Sequence, residues 1–137
     1  MILIEQSFTV YGEPRGKGRP RFARGRTYTD SNTVEYEREV AKAWESVATI
    51  KFSKTPTEVT IKAFFSVPSS LSKKRKAALY GTPCQKKPDA DNIAKIILDG
   101  LNSVAIEDDA QVNLLKVEKM YVESETALPR VEVTLRA

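Results

Sequence analysis

Histidine is absent from this 137-residue chain, and that absence excludes more chemistry than any residue present. It removes Ser-His and Cys-His nucleophilic machinery, imidazole metal ligands and the one side chain that titrates near neutrality. Cysteine occurs once, as Cys84, so no intrachain disulfide can form and a reducing compartment is expected. No apolar run is long enough to cross a bilayer. The segment from Met1 to Glu5 also lacks the basic start and long apolar core of a secretion signal, so a cytoplasmic protein without membrane attachment is expected. Internal repeats and low-complexity tracts are absent too. Catalysis, if there is any, falls to carboxylates, lysine or a bound metal.

What is present is a mild basic excess, 22 Lys and Arg against 18 Asp and Glu, unevenly spread. At this length one domain over residues 1–137 is expected, with room for one core. Residues 2–11 place Ile2, Ile4, Phe8 and Val10 on one face, a half-buried strand interrupted by Gln6. Residues 12–26 carry six cations, one acid and no periodicity, and Gly and Pro mark them as a loop. Asn32 with Glu35 three residues on has the spacing of a capping box, and Tyr36, Val40, Ala43, Trp44 and Val47 follow at helical spacing. Val59, Ile61, Ala63, Phe65 and Val67 alternate as a second strand over 57–67. Residues 70–80 read as a short helix carrying Lys73, Lys74, Arg75 and Lys76. A stronger helix from Asp89 to Asn102 buries Ile93, Ile96, Ile97 and Leu101, with Val104 just beyond. Strands at 111–122 and 130–136 complete the order β-α-β-α-α-β-β. That order implies an α+β fold in which a mixed sheet of about four strands packs with two to three helices.

Two tight acidic pairs, Asp89-Ala90-Asp91 and Asp108-Asp109, stand out in this basic chain. Each piece alone has an ordinary explanation: a helix cap for the first, a turn for the second, a solvated partner of Asp91 and Asp99 for Lys95. An Asp-x-Asp also opens an EF-hand loop, but Ile93 replaces the third ligand and the required glycine is missing. Clustered carboxylates repel one another unless a hard divalent cation sits among them. The spacing puts Asp91, Lys95 and Asp99 on one helix face, with Asp89 at the helix start where the dipole favours negative charge. The short connection from Ser103 to Glu107 is expected to bring the second pair beside the first, giving a metal site.

These residues also resemble a known family. Lys87-Pro88-Asp89-Ala90-Asp91-Asn92-Ile93-Ala94-Lys95, then Leu98-Asp99-Gly100-Leu101, then Glu107-Asp108-Asp109-Ala110-Gln111-Val112 are similar to the signature of the RusA family of Holliday junction resolvases. The Gly25-Arg26-Thr27-Tyr28 segment is compatible with it. The resemblance implies a RusA-like fold in a homodimeric endonuclease that cuts branched, four-way DNA with Mg²⁺, or Mn²⁺ in its place. It maps Asp89, Asp91 and Asp109 onto metal ligands and Lys95 onto the catalytic lysine, with Asp108 and Asp99 in supporting places. The stretch after Leu101 is about one residue shorter than in the family, so the choice between Asp108 and Asp109 as direct ligand stays open. The metal would lower the pKa of the attacking water.

Arg15, Lys17, Arg19, Arg21, Arg24 and Arg26, with Lys86 and Lys87, are the expected DNA contacts. No base-reading motif accompanies them, so backbone and branch shape would be recognised. Two other readings fit the same residues. One is a non-catalytic nucleic-acid-binding module in which the acids only cap and turn. The other is a metal-dependent nuclease for flaps, forks or RNA.

Overall fold

The computed structural model describes residues 3–18, 21–28 and 30–137. The chain runs β1 (Glu5–Tyr11), β2 (Arg21–Ala23), β3 (Arg26–Tyr28), α1 (Ser31–Val47), β4 (Thr57–Phe65), α2 (Lys73–Leu79), α3 (Ala90–Leu101), a 3₁₀ turn (Asp109–Gln111), β5 (Val112–Tyr121) and β6 (Arg130–Arg136). Four strands form one sheet in the order β1-β6-β4-β5. β6 is antiparallel to both β1 and β4, whereas β5 is parallel to β4, so the sheet is mixed. The parallel step requires a long crossover, and α2 and α3 lie within it. The α+β fold with a mixed four-stranded sheet is therefore as the sequence implied.

Alternation decides which face is covered. Phe8 and Val10 of β1, Val59, Ile61, Ala63 and Phe65 of β4, and Val131, Val133 and Leu135 of β6 share the buried face. Tyr36, Val40 and Trp44 of α1 and Ile93, Ile96, Ile97 and Leu101 of α3 close over it, completing one core. Trp44 stands edge-on to Phe8, with ring centroids 5.9 Å apart, which pins α1 over the β1 edge. The opposite face is more polar and partly open to water, with Lys62, Glu132 and Thr134, and Arg130 covers the Phe64 ring there at 4.1 Å.

Four expectations need correction. Residues 21–28 are a small hairpin and not loop: Arg21 to Ala23 pair with Arg26 to Tyr28 across a turn at Arg24 and Gly25. Both turn residues have positive φ, 51° and 73°, the requirement of a tight hairpin turn that glycine meets without strain. The hairpin was hidden because strands of three residues are too short to show a period. Helix α1 begins at Ser31 with Asp30 as its cap, so Asn32 lies inside the helix and cannot close a capping box there. Ile4 and Val47, assigned to covered faces, are 42% and 44% exposed because they sit where a strand and a helix run past the core. Ile2, assigned to β1, lies outside the described residues.

Candidate active site

Pro88 leads into α3, and Asp89 is its N-cap in extended conformation, with no hydrogen bond from its side chain to the first turn. Its backbone oxygen accepts from Ile93 N at 3.0 Å, so the helix starts without calling on the carboxylate. Asp91 follows in the first turn. Both carboxylates are exposed, and among the described residues neither has an ion-pair or hydrogen-bond partner. They face the positive end of the helix dipole, which reduces the cost of holding two negative charges close together. A cleft of about 390 Å³ opens beside Asp89, lined by Gly16, Lys17, Lys87, Pro88, Asp89 and Asn92.

Lys17 does not do what its place in the basic segment implied. Its Nζ lies 3.0 Å from Glu37 Oε2 and 2.9 Å from Asp99 Oδ2. It is committed to two carboxylates and only 22% exposed, so it ties the 12–18 segment to α1 and α3 and is not free for a phosphate. Burial alone would lower its pKa, but the bonds to Asp99 and Glu37 outweigh that and raise it. Asp99 also accepts from Lys95 Nζ at 3.1 Å. Burial pushes the Asp99 carboxyl up, yet the two lysines together hold it below the usual carboxylate range. Lys95 is on the face shared with Asp91 and Asp99, as its spacing required, with its side chain 55% exposed.

The second acidic pair is divided by its hydrogen bonds. Asp108 caps the 3₁₀ turn, its carboxylate accepting from Ala110 N at 3.1 Å. Gln111 completes the box from the other side: its Oε1 accepts from Glu107 N at 2.9 Å and Asp108 N at 3.4 Å. Its Nε2 donates to Phe52 O at 2.8 Å, Thr57 Oγ1 at 3.1 Å and Thr55 O at 3.2 Å. The Asp109 carboxylate has no such partner among the described residues. Of the two aspartates the sequence could not separate, Asp108 is occupied by the turn and Asp109 is left over. The sequence reading passed over Gln111 as a working residue, although Asp108-x-x-Gln111 carries the capping-box spacing that it assigned to Asn32 and Glu35.

One spatial expectation fails. Asp89 and Asp91 stand at the start of α3, and Asp108 and Asp109 follow its end. Twelve helical residues rise about 18 Å. Among the described residues no three acidic or cysteine side chains converge to hold a metal ion. The cause is the direction of β5. It begins where α3 ends, held to Phe52 and Thr55 through Gln111, and its far end returns toward the segment before Asp89. There Cys84 N donates to Lys119 O at 3.0 Å, and Tyr121 N donates to Thr82 O at 2.9 Å. Lys119 Nζ also donates to the Lys86 backbone oxygen.

Other cations of the basic segments are exposed to solvent. Lys86 and Lys87 are exposed just before Asp89, and Arg15 is exposed on the segment that flanks the cleft. Arg24 and Arg26 are exposed on the hairpin, together with Phe22 at 75%. Arg21 belongs to β2, and Arg19 lies outside the described residues. Helix α2 buries none of its residues and presents Lys73, Lys74 and Arg75 to solvent. No helix among the described residues is long and apolar enough to cross a membrane.

Comparison with known proteins gives two findings. A family model described as "Endodeoxyribonuclease RusA" matches residues 11–136. The chain is also 35% identical over 137 residues to the Bacillus subtilis (strain 168) protein "Uncharacterized protein YqaN", covering 94% of each sequence.

Proposed function

We propose, from the premise that this chain belongs to the RusA endodeoxyribonuclease family, that it resolves four-way DNA junctions by paired symmetric nicks in recombination and repair. The observation that carries the reading is the uncommitted state of three carboxylates, Asp89, Asp91 and Asp109. Their neighbours Asp99 and Asp108 are both engaged. An all-oxygen donor set of this kind suits Mg²⁺, or Mn²⁺, and a bound ion supplies the Lewis acid for phosphodiester hydrolysis.

The chain's own groups set up the rest. Asp89 and Asp91 offer oxygens from the first turn of α3. Asp99, anchored by Lys17, draws the Lys95 ammonium toward the same helix face, where it would meet negative charge developing on the phosphate. Lys86 and Lys87 beside the cleft, with Arg15, Arg24 and Arg26, hold the sugar–phosphate backbone. Exposed Phe22 gives the hairpin an apolar surface to lay against unstacked bases. Asp109 does not converge with Asp89 and Asp91 within one chain, so it reaches the site from a second copy. A two-fold dimer then carries two such sites, matching the approximate two-fold symmetry of a four-way junction.

The test is cleavage of an end-labelled four-way junction, with linear duplex, flap and fork substrates alongside. Paired nicks in the junction, lost with EDTA, are expected. Asp91→Asn should lower the rate at least about 100-fold, beyond what losing a partner of a metal ligand typically costs. It should leave junction binding intact. Mixing Asp91→Asn with Asp109→Asn chains should restore single nicks, because each mixed dimer regains one complete set of aspartates. Equal cutting of flaps or forks would move the activity to another branched substrate. Binding without cutting under Mg²⁺ and Mn²⁺ would leave a DNA-binding module.

A further inference from the structure

We infer that the cleft between the end of β1 and the first half of α1 is a binding site for a guanidinium group, built from residues that take no part in the proposed hydrolysis except Arg15 at its mouth. The cleft holds about 190 Å³; Glu35, Tyr36 and Glu39 of α1 wall one side, and Tyr11, Glu13 and Arg15 the other. Its far wall is fixed before any ligand arrives. Gly12 N donates to Pro129 O at 3.0 Å, and the Glu13 carboxylate accepts from Ser66 N at 3.2 Å through one oxygen, leaving the other free.

Two independent observations point to a ligand. The first is Tyr36, whose side chain is 3% exposed and whose hydroxyl has no hydrogen-bond partner among the described residues. Buried polar groups are almost always paired, so an orphan hydroxyl in a cleft wall marks a place where a partner is missing. Burial foremost, and the Glu39 carboxylate next, push the Tyr36 phenol above its ordinary value, and the Arg15 guanidinium partly offsets them. Glu39 and Arg15 therefore stand close to the hydroxyl, and both are exposed side chains free to shift for a ligand. The second observation is charge. Three carboxylates meet one guanidinium in this cleft, and among the described residues Glu13, Glu35, Glu39 and Arg15 form no ion pair. Glu35 and Glu39 are four apart on one helix, a like-charge spacing that costs helix stability unless a cation lies between them.

The form of the cleft selects the cation. No three acidic side chains among the described residues converge to hold a metal ion, so one small ion cannot satisfy them together. A guanidinium is planar and carries five N–H donors in a fork, enough to reach Glu35, Glu39 and the Tyr36 oxygen at once. Tyr11, 65% exposed at the rim, offers a ring face on which such a plane stacks. A primary ammonium is a compact point charge with three donors and lacks the stacking face.

The experiment is an NMR titration of the ¹⁵N-labelled full chain with three probes: agmatine, N-acetyl-arginine amide and butylamine. Amide shifts at Gly12, Glu35, Tyr36 and Glu39 should report agmatine or the capped arginine with a Kd at or below about 1 mM. The stronger of the two tells whether the guanidinium comes from a free small molecule or from an arginine of a protein. Glu35→Gln and Glu39→Gln should each weaken binding about tenfold or more, the worth of a charged hydrogen bond. Tyr36→Phe should weaken it by a smaller factor without lowering Tm, because the hydroxyl it removes has no partner in the free protein. Butylamine binding as tightly as agmatine would overturn the guanidinium assignment. Glutamine variants that bind like wild type, or no shift at these amides with either guanidinium probe, would overturn the site. A Tyr36→Phe variant that melts several degrees below wild type would show that the hydroxyl already has a partner, and the inference falls with it.

Discussion

Replacing Gln111 should unfasten the turn that presents Asp109, and the structure allows the cost to be worked out. Four of the Gln111 side-chain bonds are 2.8 to 3.2 Å long. They join three separate pieces of backbone, at Glu107, Phe52 and Thr55, and the buried Thr57 hydroxyl. A neutral hydrogen bond contributes about 1 kcal/mol net, and buried groups left without a partner cost more. Gln111 is half-buried, so water recovers some of the loss. Gln111→Ala should then destabilise by about 2–4 kcal/mol. For a chain of this size that lowers Tm by about 4 °C per kcal/mol, roughly 8–16 °C in all. Gln111→Glu separates the two halves of the latch. It keeps the acceptor for Glu107 and Asp108 N–H but sets a carboxylate against the Phe52 and Thr55 carbonyl oxygens. That variant should be as unstable as alanine at neutral pH and should recover as acid protonates the new group. Thermal melts followed by circular dichroism at one protein concentration decide it. A Tm for Gln111→Ala within about 2 °C of wild type, under 0.5 kcal/mol on the same scale, would mean that water replaces the latch and the reasoning fails.

Lys17→Met should cost about 1–3 kcal/mol by removing charged bonds to two carboxylates, and it should change the pH profile on both sides. Asp99 has a lowered folded pKa, so its contribution is present above the ordinary carboxylate value near 3.8 and lost as pH falls through the lower folded one. Lys17 has a raised folded pKa, so its contribution is full below 10.5 and lost as pH rises through the higher folded value. Both limbs should flatten in the variant, and urea unfolding across pH would reveal limbs of unchanged depth if the ion pairs were idle. Gly100→Ala should destabilise by about 1–3 kcal/mol, since an added Cβ would sit 2.8 Å from Val40 Cβ and 3.0 Å from the Glu37 backbone oxygen. Helix propensity alone predicts a gain of about 1 kcal/mol, so a raised Tm would show that α1 and α3 are not in tight contact there.

The elements that bury one face were legible because burial writes a period into the sequence. Val59, Ile61 and Ala63 alternate because β4 lies in the middle of the sheet, and Ile93, Ile96, Ile97 and Leu101 recur because α3 lies on it. The hairpin at 21–28 was illegible for a related reason: its strands of three residues are too short to show a period, and what marks it is a two-residue turn at Arg24-Gly25. The roles of Lys17 and Gln111 were illegible because both act across long sequence separations, on Asp99 and on Phe52, and nothing local signals such partners. The mutual placement of the acidic pairs failed at a different step. A short connection does return the chain beside the helix, but it returns it at the helix's far end, so proximity had to be judged from direction as well as from loop length.

Lys95 is where a local rule and the tertiary structure part company. It stands four residues after Asp91 and four before Asp99, and helical spacing offers both partners equally. Pair orientation favours the acid on the N-terminal side, which would select Asp91. The structure instead has Lys95 on Asp99, the less favoured orientation. Asp99 is only 18% exposed and already bound by Lys17, so its remaining oxygen sits in a half-desolvated place where a second cation is worth more than at the exposed Asp91. The consequence is that Asp91 keeps both oxygens free at the helix start, and Lys95 is held one turn further along the same face. A local preference overridden at one residue, with the neighbouring carboxylate left unspent, is the pattern expected where a sequence has been shaped for chemistry and not for the stability of its helix.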